Sequence, residues 1–418
     1  MGGGGRLSGE FYDAIDASLR DADARVEANY PGGPAGRQPV HTVYVPASGY
    51  HEGLVGEWGA RASAALEEHA RDLAEFAGVF GPQATVEIYD RVREKLRREP
   101  IEDLRIDFED GYGSPGDEIE DAAAVSAGAT LARSVAAGTA PPFAGIRFKS
   151  FERATRRRGM RTLDLFLGAL LDGGPLPPGF VVTLPKVTAV EQVAAAAKVL
   201  GELERGYGLP ARSLRFEVQI ETPQSIVDIE GAVAVARIVR AADGRCSGLH
   251  YGTYDYSAGL GISAAYQSME HPAADFAKAL MQVSAAGTGV LLSDGSTNKL
   301  PVGDRDAVLG AWREHARLVR RSLERGFYQG WDLHPHQLPS RYAATYAFFR
   351  EGFPAAAARL RNYVEKTEGG VLDEPATAQA LAAYLSRGLD CGALTEAEVV
   401  DRTTLSREAL DRHVRRLT

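Results

Sequence analysis

The sequence predicts an α/β protein built as a TIM (β/α)8 barrel, with an N-terminal helix before it and a C-terminal helical extension after it. The first observation is a theme that recurs eight times: a short apolar run, a polar loop and, in most cases, an Ala/Leu-rich amphipathic helix. Near-continuous apolar runs are typical of parallel strands that helices cover on both faces. The second observation is that no G-x-G-x-x-G or G-x-x-x-x-G-K-[ST] motif follows any run, which disfavours dinucleotide-binding and P-loop folds. Eight such units favour a barrel over an open doubly wound sheet.

The elements follow in chain order. Residues 1–39 are interpreted as an appendage, with a predicted helix over Phe11–Asn29 and then a linker of proline and glycine, which has few side chains to bury. Residues 40–352 are predicted to form the barrel. Its strands are predicted at His41–Pro46, Leu104–Phe108, Gly145–Lys149, Gly179–Leu184, Arg215–Ile220, Gly248–Tyr251, Gly289–Leu292 and Gly330–Leu333. Helices are predicted between most of them, for example at Asp117–Val135, Val190–Tyr207 and Ser225–Ala241.

The tail, residues 353–418, is helical again and is too long to be one more barrel helix. We interpret it as the C-terminal helical extension. Its helices are predicted at Ala355–Lys366, Glu374–Arg387 and Glu396–Thr418.

Composition and charge limit the class of protein. The chain has 418 residues, of which 44% are hydrophobic and 25% charged, as in soluble globular proteins. Its 47 Lys and Arg residues against 56 Asp and Glu residues give a net charge of −9, which argues against nucleic-acid binding but leaves room for an anionic small molecule. The chain has only two cysteines, which favours a reducing compartment. It has no apolar run near the ~20 residues of a membrane span and no apolar core like that of a signal peptide. We therefore expect a soluble cytoplasmic protein without nucleic-acid or membrane partners.

Candidate functional residues follow the predicted strands, because barrel enzymes bind and react at the C-terminal ends of their strands. Several of these residues are carboxylates, which repel one another at one rim unless protons, basic groups or a metal ion relieve the repulsion. In chain order the candidates are Asp107, Glu109, Asp110, Arg147, Lys149, Lys186, Glu221, Asp255 and His334.

These carboxylates predict a hard divalent cation, Mg²⁺ or Mn²⁺, because the ligands are oxygens with no Cys and few His. Glu221 and Asp255 end neighbouring strands and supply the two carboxylates that Mg²⁺ commonly takes. The remaining positions suit a 2-oxo acid that chelates through its carboxylate and keto oxygens. Arg147 would face the same oxygen and stabilise the charge of an enolate. Asp255 alone has a simpler role open to it, as the cap of the following helix.

The basic residues also admit simpler structural roles. Arg147 and Lys149 alternate along one strand, so only one is expected to face the lumen, and Lys149 is expected to be the structural one. Lys186 can form a Schiff base with a carbonyl, but an ion pair with the acidic cluster is preferred. His334 binds substrate or is only a turn residue. The arginine run within 153–161 either holds a phosphate group, such as the CoA 3′-phosphate, or is a solvated basic face.

Taken in order, these motifs resemble the HpcH/HpaI aldolase and citrate lyase β-subunit superfamily, which includes the malyl-CoA lyases. The similarity runs from about Thr42 to Pro375. Each segment is weak alone, and the order of all seven carries the resemblance. The segments are Val43–Ser48, Asp107–Asp110, Ile146-Arg147, Leu184–Val187, Glu221-Thr222, Gly252–Ser257 and Gly330–Pro335.

The resemblance implies a TIM barrel that binds Mg²⁺ through Glu221 and Asp255. It also implies that Arg147 stabilises the enolate made by retro-aldol or Claisen-type cleavage. In the metal-dependent 2-oxo acid aldolases, the acidic element of the second strand ends in a catalytic histidine. That position is Asp110 in this sequence, which favours the citrate lyase β-like branch.

The same resemblance concerns the C-terminal tail. In the CoA-ester lyases of that branch, a C-terminal segment donates an aspartate into the site of a neighbouring subunit, and residues 370–375 are similar to that segment. This makes Asp373 the candidate general acid/base, in a homo-oligomer. Asp373 can equally be the N-cap of the helix that follows.

The expected function is therefore that of a Mg²⁺-dependent carbon–carbon lyase that cleaves a 3-hydroxyacyl-CoA such as malyl-CoA or citramalyl-CoA through a metal-stabilised enolate. One alternative is a class II aldolase that cleaves free 2-oxo-4-hydroxy acids to pyruvate and an aldehyde without CoA. Another is a non-catalytic barrel with a binding role. The roles expected for the lyase are catalysis by Arg147, Asp110 and Asp373, metal binding by Glu221 and Asp255, and substrate binding by Asp107, Glu109, Lys186 and His334.

Overall fold

Eight parallel strands form the barrel in a computed structural model that describes residues 6–33, 36–365 and 374–415. The strands are β1 (His41–Pro46), β2 (Asp103–Asp107), β3 (Phe143–Arg147), β4 (Val181–Leu184), β5 (Arg215–Ile220), β6 (Cys246–Tyr251), β7 (Leu291–Ser293) and β8 (Gly330–Asp332). Each strand from β1 to β6 pairs with the next, and β8 pairs with β1. A single bridge between Ser293 and Gln329 joins β7 to the start of β8, so the barrel is nearly closed. The predicted fold is confirmed, and β1 and β5 have their predicted bounds.

Strand β2 has polar side chains inside the barrel and apolar side chains that face the helices. Along β2, Leu104 and Ile106 pack into the two large hydrophobic cores, and Arg105 between them points into the lumen. Arg105 is buried and donates from Nη2 to Glu217 on β5 at 2.9 Å. The apolar residues of this strand therefore mark its outer face, and the alternate positions supply the polar interior.

Helices surround the barrel and continue beyond it. None of those in the described ranges is both long and apolar enough to cross a membrane. They are α1 (Gly9–Asn29), α2 (Leu54–His69), α3 (Leu73–Phe80), α4 (Val86–Arg98), α5 (Asp117–Ala136), α6 (Arg156–Asp172), α7 (Val190–Tyr207), α8 (Ala234–Ala241), α9 (Thr253–Gly259), α10 (Pro272–Ala285), α11 (Arg305–Glu324), α12 (Leu338–Glu365), α13 (Pro375–Asp390), α14 (Glu396–Thr403) and α15 (Arg407–Arg415).

The predicted helix Ser225–Ala241 is wrong over its first half. Pro223–Ser225 form a short 3-10 helix, and only α8 is α-helical. In the segment between them, the Asp228 carboxylate accepts hydrogen bonds from the amides of Glu230 (3.0 Å) and Ala232 (2.9 Å). These local bonds stabilise a turn in place of a helix.

The C-terminal helices also differ from the prediction. Helix α12 is continuous across residue 352, where the barrel was predicted to end. It continues through Pro354 because Phe353 and Leu360 on either side pack into a core with α13. The predicted helix Glu396–Thr418 is divided at Thr404, whose φ of 64° is left-handed and ends α14.

Candidate active site

Arg147 and Asp107 form a buried ion pair where β3 and β2 end. Arg147 donates from Nε and Nη2 to the two carboxylate oxygens of Asp107, both at 2.7 Å. Its guanidinium carbon lies 4.8 Å from the centre of the Tyr44 ring. Burial lowers the pKa of Arg147, but the Asp107 carboxylate outweighs it, and the pKa lies above its usual range. The arginine is therefore charged and held in one orientation, with Nη1 directed away from the pair at 3.5 Å from Glu109.

Asp107 is itself held by the backbone of the loop that follows β2. Its Oδ1 accepts from the amide of Glu109 at 3.0 Å, and its Oδ2 accepts from the amide of Gly111 at 2.8 Å. A Cβ atom on Gly111 would lie 2.7 Å from Asp107 Oδ2. Only glycine lets this loop close on the carboxylate and fix the direction of Arg147.

A second group of charges surrounds the Lys186 ammonium. Nζ lies 2.7 Å from Asp255, 2.9 Å from Asp110 and 3.4 Å from Glu109. The backbone amide of Lys186 donates to Oε1 of Glu221 at 2.7 Å. Lys186 thus contacts all four of these predicted site residues, which we call the carboxylate cluster. The ion pair preferred for Lys186 is confirmed.

The Schiff-base alternative for Lys186 is disfavoured by the same contacts. Burial lowers the pKa of Lys186, but the carboxylate cluster, with Glu221 as the strongest influence, raises it above its usual range. A protonated amine has no free electron pair with which to attack a carbonyl.

Glu221 is buried at the C-terminal end of β5. Burial raises its pKa to about 7, although the charges of Lys186 and Arg147 act in the opposite direction. A Cβ atom on Gly252 would lie 2.4 Å from the Cβ of Glu221, so the absence of a side chain there makes room for the glutamate.

Glu109 and Asp110 are adjacent in the sequence, and their pKa values are shifted in opposite directions. Burial raises the pKa of Glu109 to about 7, against the influence of Arg147 and with the help of the Asp110 charge. Burial also raises the pKa of Asp110, but its hydrogen bond to the Lys186 ammonium outweighs this and lowers it. Neighbouring carboxyl groups separated in this way can divide the roles of proton donor and ionised base.

Asp255 lies in the first turn of α9, directly after β6, and its side chain is 48% exposed. Lys186 contacts Asp255 with its ammonium and Glu221 with its backbone amide, so both predicted metal ligands lie at the same end of the barrel. In the described parts of the chain, no group of three or more His, Cys, Asp and Glu side chains is arranged to hold one metal ion. The Lys186 ammonium lies among the carboxylates instead.

The other predicted residues are placed elsewhere or are not described. His334 accepts from the His336 amide at 3.2 Å, and its Nε2 lies 3.4 Å from Arg61 on α2. Burial, His336 and Arg61 lower the pKa of His334 to about 4, so it is neutral near pH 7, and its substrate-binding role stays a prediction. Lys149 donates to Glu120 on α5 at 2.6 Å, which confirms the structural role. Asp373 lies outside the described residues.

Sequence reasoning missed Tyr44 and Gly252. Tyr44 faces the lumen below Arg147, between Val43 and Val45, which pack outward. The alternation along β1 was the signal that could have found it. Gly252 lies inside the resemblance, but its contact with Glu221 depends on two strands meeting and has no local signal.

Replacing Gly252 with alanine should displace Glu221 and lower the free energy of unfolding by about 1–3 kcal/mol, the usual cost of overpacking. Gly56→Ala in α2 is the matched control, since no atom lies within 4 Å of its added Cβ. It should be neutral or stabilising by up to about 1 kcal/mol, because alanine restricts the unfolded chain. Urea unfolding of both variants measures the difference, and equal stabilities would contradict this account of Gly252.

Comparison with known proteins identifies the family of the chain. The sequence profile described as "Domain of unknown function (DUF6986)" matches residues 19–417. The L-malyl-CoA/β-methylmalyl-CoA lyase of Haloarcula marismortui is 34% identical over 106 residues, which are 25% of this chain and 28% of that enzyme. The chain therefore aligns with less than a third of that relative's length.

A solved structure with a TM-score above 0.5 shows the same barrel, and a second one is less similar. A citrate lyase from Burkholderia xenovorans LB400 has a TM-score of 0.57 at 18% identity, over 87% of this chain and 96% of that one. A malate synthase from Haloferax volcanii, in a magnesium/glyoxylate complex, has a TM-score of 0.47 at 14% identity, over 91% of this chain and 98% of that one. The local identity to a malyl-CoA lyase and the shared barrel are consistent with the HpcH/HpaI aldolase and citrate lyase β-subunit superfamily. The chain itself belongs to the family described as Domain of unknown function (DUF6986).

Proposed function

We propose that this protein is a divalent-metal-dependent carbon–carbon lyase that acts on a 3-hydroxyacyl-CoA such as malyl-CoA or citramalyl-CoA. The observation that carries the proposal is the meeting of the carboxylate cluster and the Asp107-bound Arg147 at one end of the barrel. A cation site beside a fixed positive donor suits a reaction in which an oxygen gains negative charge. The local similarity to a malyl-CoA lyase supports the substrate class. A non-catalytic barrel would have no need to keep both features.

The carboxylate cluster fits Mg²⁺ or Mn²⁺. Its donors are the hard oxygens that these ions prefer, and the Lys186 ammonium already stands among them as a cation. We propose that Glu221 and Asp255 hold the ion. When bound, the ion would act as a Lewis acid that polarises the substrate carbonyl.

Arg147 is proposed to bind the thioester oxygen. Asp107 engages Nε and one N–H of Nη2, and Nη1, which lies 3.5 Å from Glu109, is proposed as the donor to substrate. In the cleavage of a 3-hydroxyacyl group, the hydroxyl loses its proton, the C2–C3 bond breaks, and its electron pair moves into the thioester as an enolate. Because Asp107 fixes the guanidinium beforehand, no reorientation is needed as this charge develops.

Two proton transfers complete the reaction. The hydroxyl proton needs an acceptor, and the enolate carbon needs a donor. Asp110 stays ionised beside Lys186 and is proposed as the acceptor, while Glu109, with a pKa of about 7, can exchange protons near neutral pH. Asp373 keeps its predicted role as a general acid/base.

Arginines at the start of α6 support an acyl donor that carries phosphate. Arg158 and Arg161 pair with Asp121, as a solvated face would require. The other arginines of the run are exposed to solvent and are suited to charge-assisted bonds with phosphate oxygens. They are Arg153, Arg156 and Arg157.

We also propose that the protein is a homo-oligomer in the cytoplasm. Helix α1 has no buried residue and exposes Phe11, Ile15, Leu19 and Val26, which lie on one face at helical spacing. Helices gain most of their stability from packing such a face, and a second subunit would supply the packing. An aspartate from a neighbouring subunit would require the same assembly.

A thermal-shift screen with Mg²⁺ tests the function. We expect the melting temperature to rise with acetyl-CoA and glyoxylate together, since a ligand at 100 times its Kd adds about 2.7 kcal/mol of stability. Release of glyoxylate from malyl-CoA would then be measured directly. A rise with pyruvate or oxaloacetate but with no CoA ester would favour the free-acid aldolase. No response to any of these ligands would contradict both enzymes.

A further inference from the structure

Lys186 occupies the centre of the carboxylate cluster with a side chain that can leave it. Its ammonium lies within 3.4 Å of Glu109, Asp110 and Asp255. The other basic residue of this rim with a flexible stem, Lys149, is held by the Phe108 carbonyl at 2.8 Å and by Glu120, facing α5. Lys186 is therefore the lysine that balances the cluster's charge in the described structure.

The backbone of Lys186 is fixed even though its side chain is flexible. Its φ is 50°, in the left-handed region that residues other than glycine rarely adopt. The hydrogen bond from its amide to Glu221, at 2.7 Å, accompanies this conformation. Strained residues of this kind are concentrated at functional sites. Because the main chain is fixed, the ammonium can leave the carboxylates only by rotation about its four-carbon stem.

We propose that Lys186 is an internal counter-cation that competes with the divalent metal ion for Asp255. This rests on the proposed function for the identity of the metal and its ligands. An ammonium and a divalent cation repel each other and use the same carboxylate oxygens, so the ion binds as the ammonium moves away. Lys186 then acts as a positioning residue: it keeps the carboxylates together before the metal ion arrives and limits the affinity for that ion.

The proposal predicts that removing the charge strengthens metal binding. Isothermal titration of the full chain with MnCl2 and with MgCl2 should give a Kd about ten-fold lower for Lys186→Met than for the wild type. This effect has the size that residues beyond the metal ligands commonly have on affinity, but the opposite direction. Lys186→Arg keeps the charge and should stay close to the wild type. Lys198→Met is the matched control, because Lys198 is exposed on α7, away from the cluster. A purely structural lysine would not produce tighter binding when it is removed.

A melting experiment gives a second readout. Without metal, Lys186→Met should melt below the wild type, because the cluster loses its counter-cation, and it should gain more from excess MgCl2. Lys186→Gln repeats the test if the methionine variant does not fold. Equal or weaker metal binding by the uncharged variants would contradict the proposed competition but not the assignment of the metal ligands. If neither the wild type nor these variants bind either metal, the metal ligands of the proposed function are wrong as well.

Discussion

Replacing Glu221 with glutamine should abolish metal-dependent turnover while the barrel stays folded. Loss of a residue that only supports a metal ligand commonly costs 10–100-fold, so loss of a ligand should lower kcat/KM by more than about 100-fold. The fold should survive because the glutamine Oε1 can still accept the hydrogen bond from the Lys186 amide. Initial rates at saturating Mg²⁺ and the circular dichroism spectrum measure the two effects. Glu191→Gln, at an exposed position in α7, is the control and should behave as the wild type.

The same variant should change how stability depends on pH. Burial raises the pKa of Glu221 from 4.5 to about 7, so between these values the folded protein binds more protons at this group than the unfolded chain does. Its contribution to stability is therefore lost as pH rises through this window. Glutamine does not titrate, so Glu221→Gln should show a smaller decline in melting temperature from pH 5 to pH 8. Unchanged turnover, or an unchanged metal Kd, would contradict the ligand assignment.

Replacing Arg147 with glutamine should reduce both stability and activity. The substitution leaves the buried Asp107 carboxylate without its bidentate partner, and breaking a buried ion pair in this way typically costs about 3–5 kcal/mol. It also removes the proposed enolate donor, and loss of one such donor usually lowers kcat by about 10²–10³. Urea unfolding and steady-state rates on malyl-CoA measure the two losses.

A double-mutant cycle separates the two roles of this pair. Arg147→Gln with Asp107→Asn removes both charges, so it should recover part of the stability and none of the activity. Arg161→Gln is the control, because Arg161 also pairs with an aspartate, Asp121, but at the surface, where a pair is worth about 1 kcal/mol or less. Activity restored in the double variant would contradict the catalytic role of Arg147. A stability loss no larger than that of Arg161→Gln would contradict the buried pair.

The barrel could be predicted because its strands are encoded locally. The apolar residues of β1 and β5 mark their observed bounds, since outward positions such as Val43 and Val218 pack against helices. The helix predicted to begin at Ser225 was wrong over its first half because the Asp228 carboxylate stabilises a turn there. Hydrogen bonds of this kind leave no trace in the apolar periodicity from which the helix was predicted. The predicted start of a separate helix at Ala355 was wrong for a related reason: proline disfavours the interior of a helix, but tertiary packing keeps α12 continuous through Pro354.

The candidate site, like the fold, could be predicted only in part from the sequence. Position after a strand was enough to nominate Glu221, Asp255 and Arg147, because every parallel strand of a barrel ends at the same rim. Position also favoured an ion pair of Lys186 with the acidic cluster, but it did not indicate which carboxylates the ammonium contacts. Tyr44 beneath Arg147 and Gly252 against Glu221 are contacts made by barrel closure.

The sequence by itself determined the architecture and the rim that carries the charged residues, because apolar periodicity and position after a strand are properties of short segments. Only the tertiary structure decided which acidic residues Lys186 contacts. Lys186 lies 76 positions from Asp110 and 69 from Asp255, and it meets both because β2, β4 and β6 end at one rim. Contacts between such distant residues depend on how the whole sheet closes, and no local pattern records them.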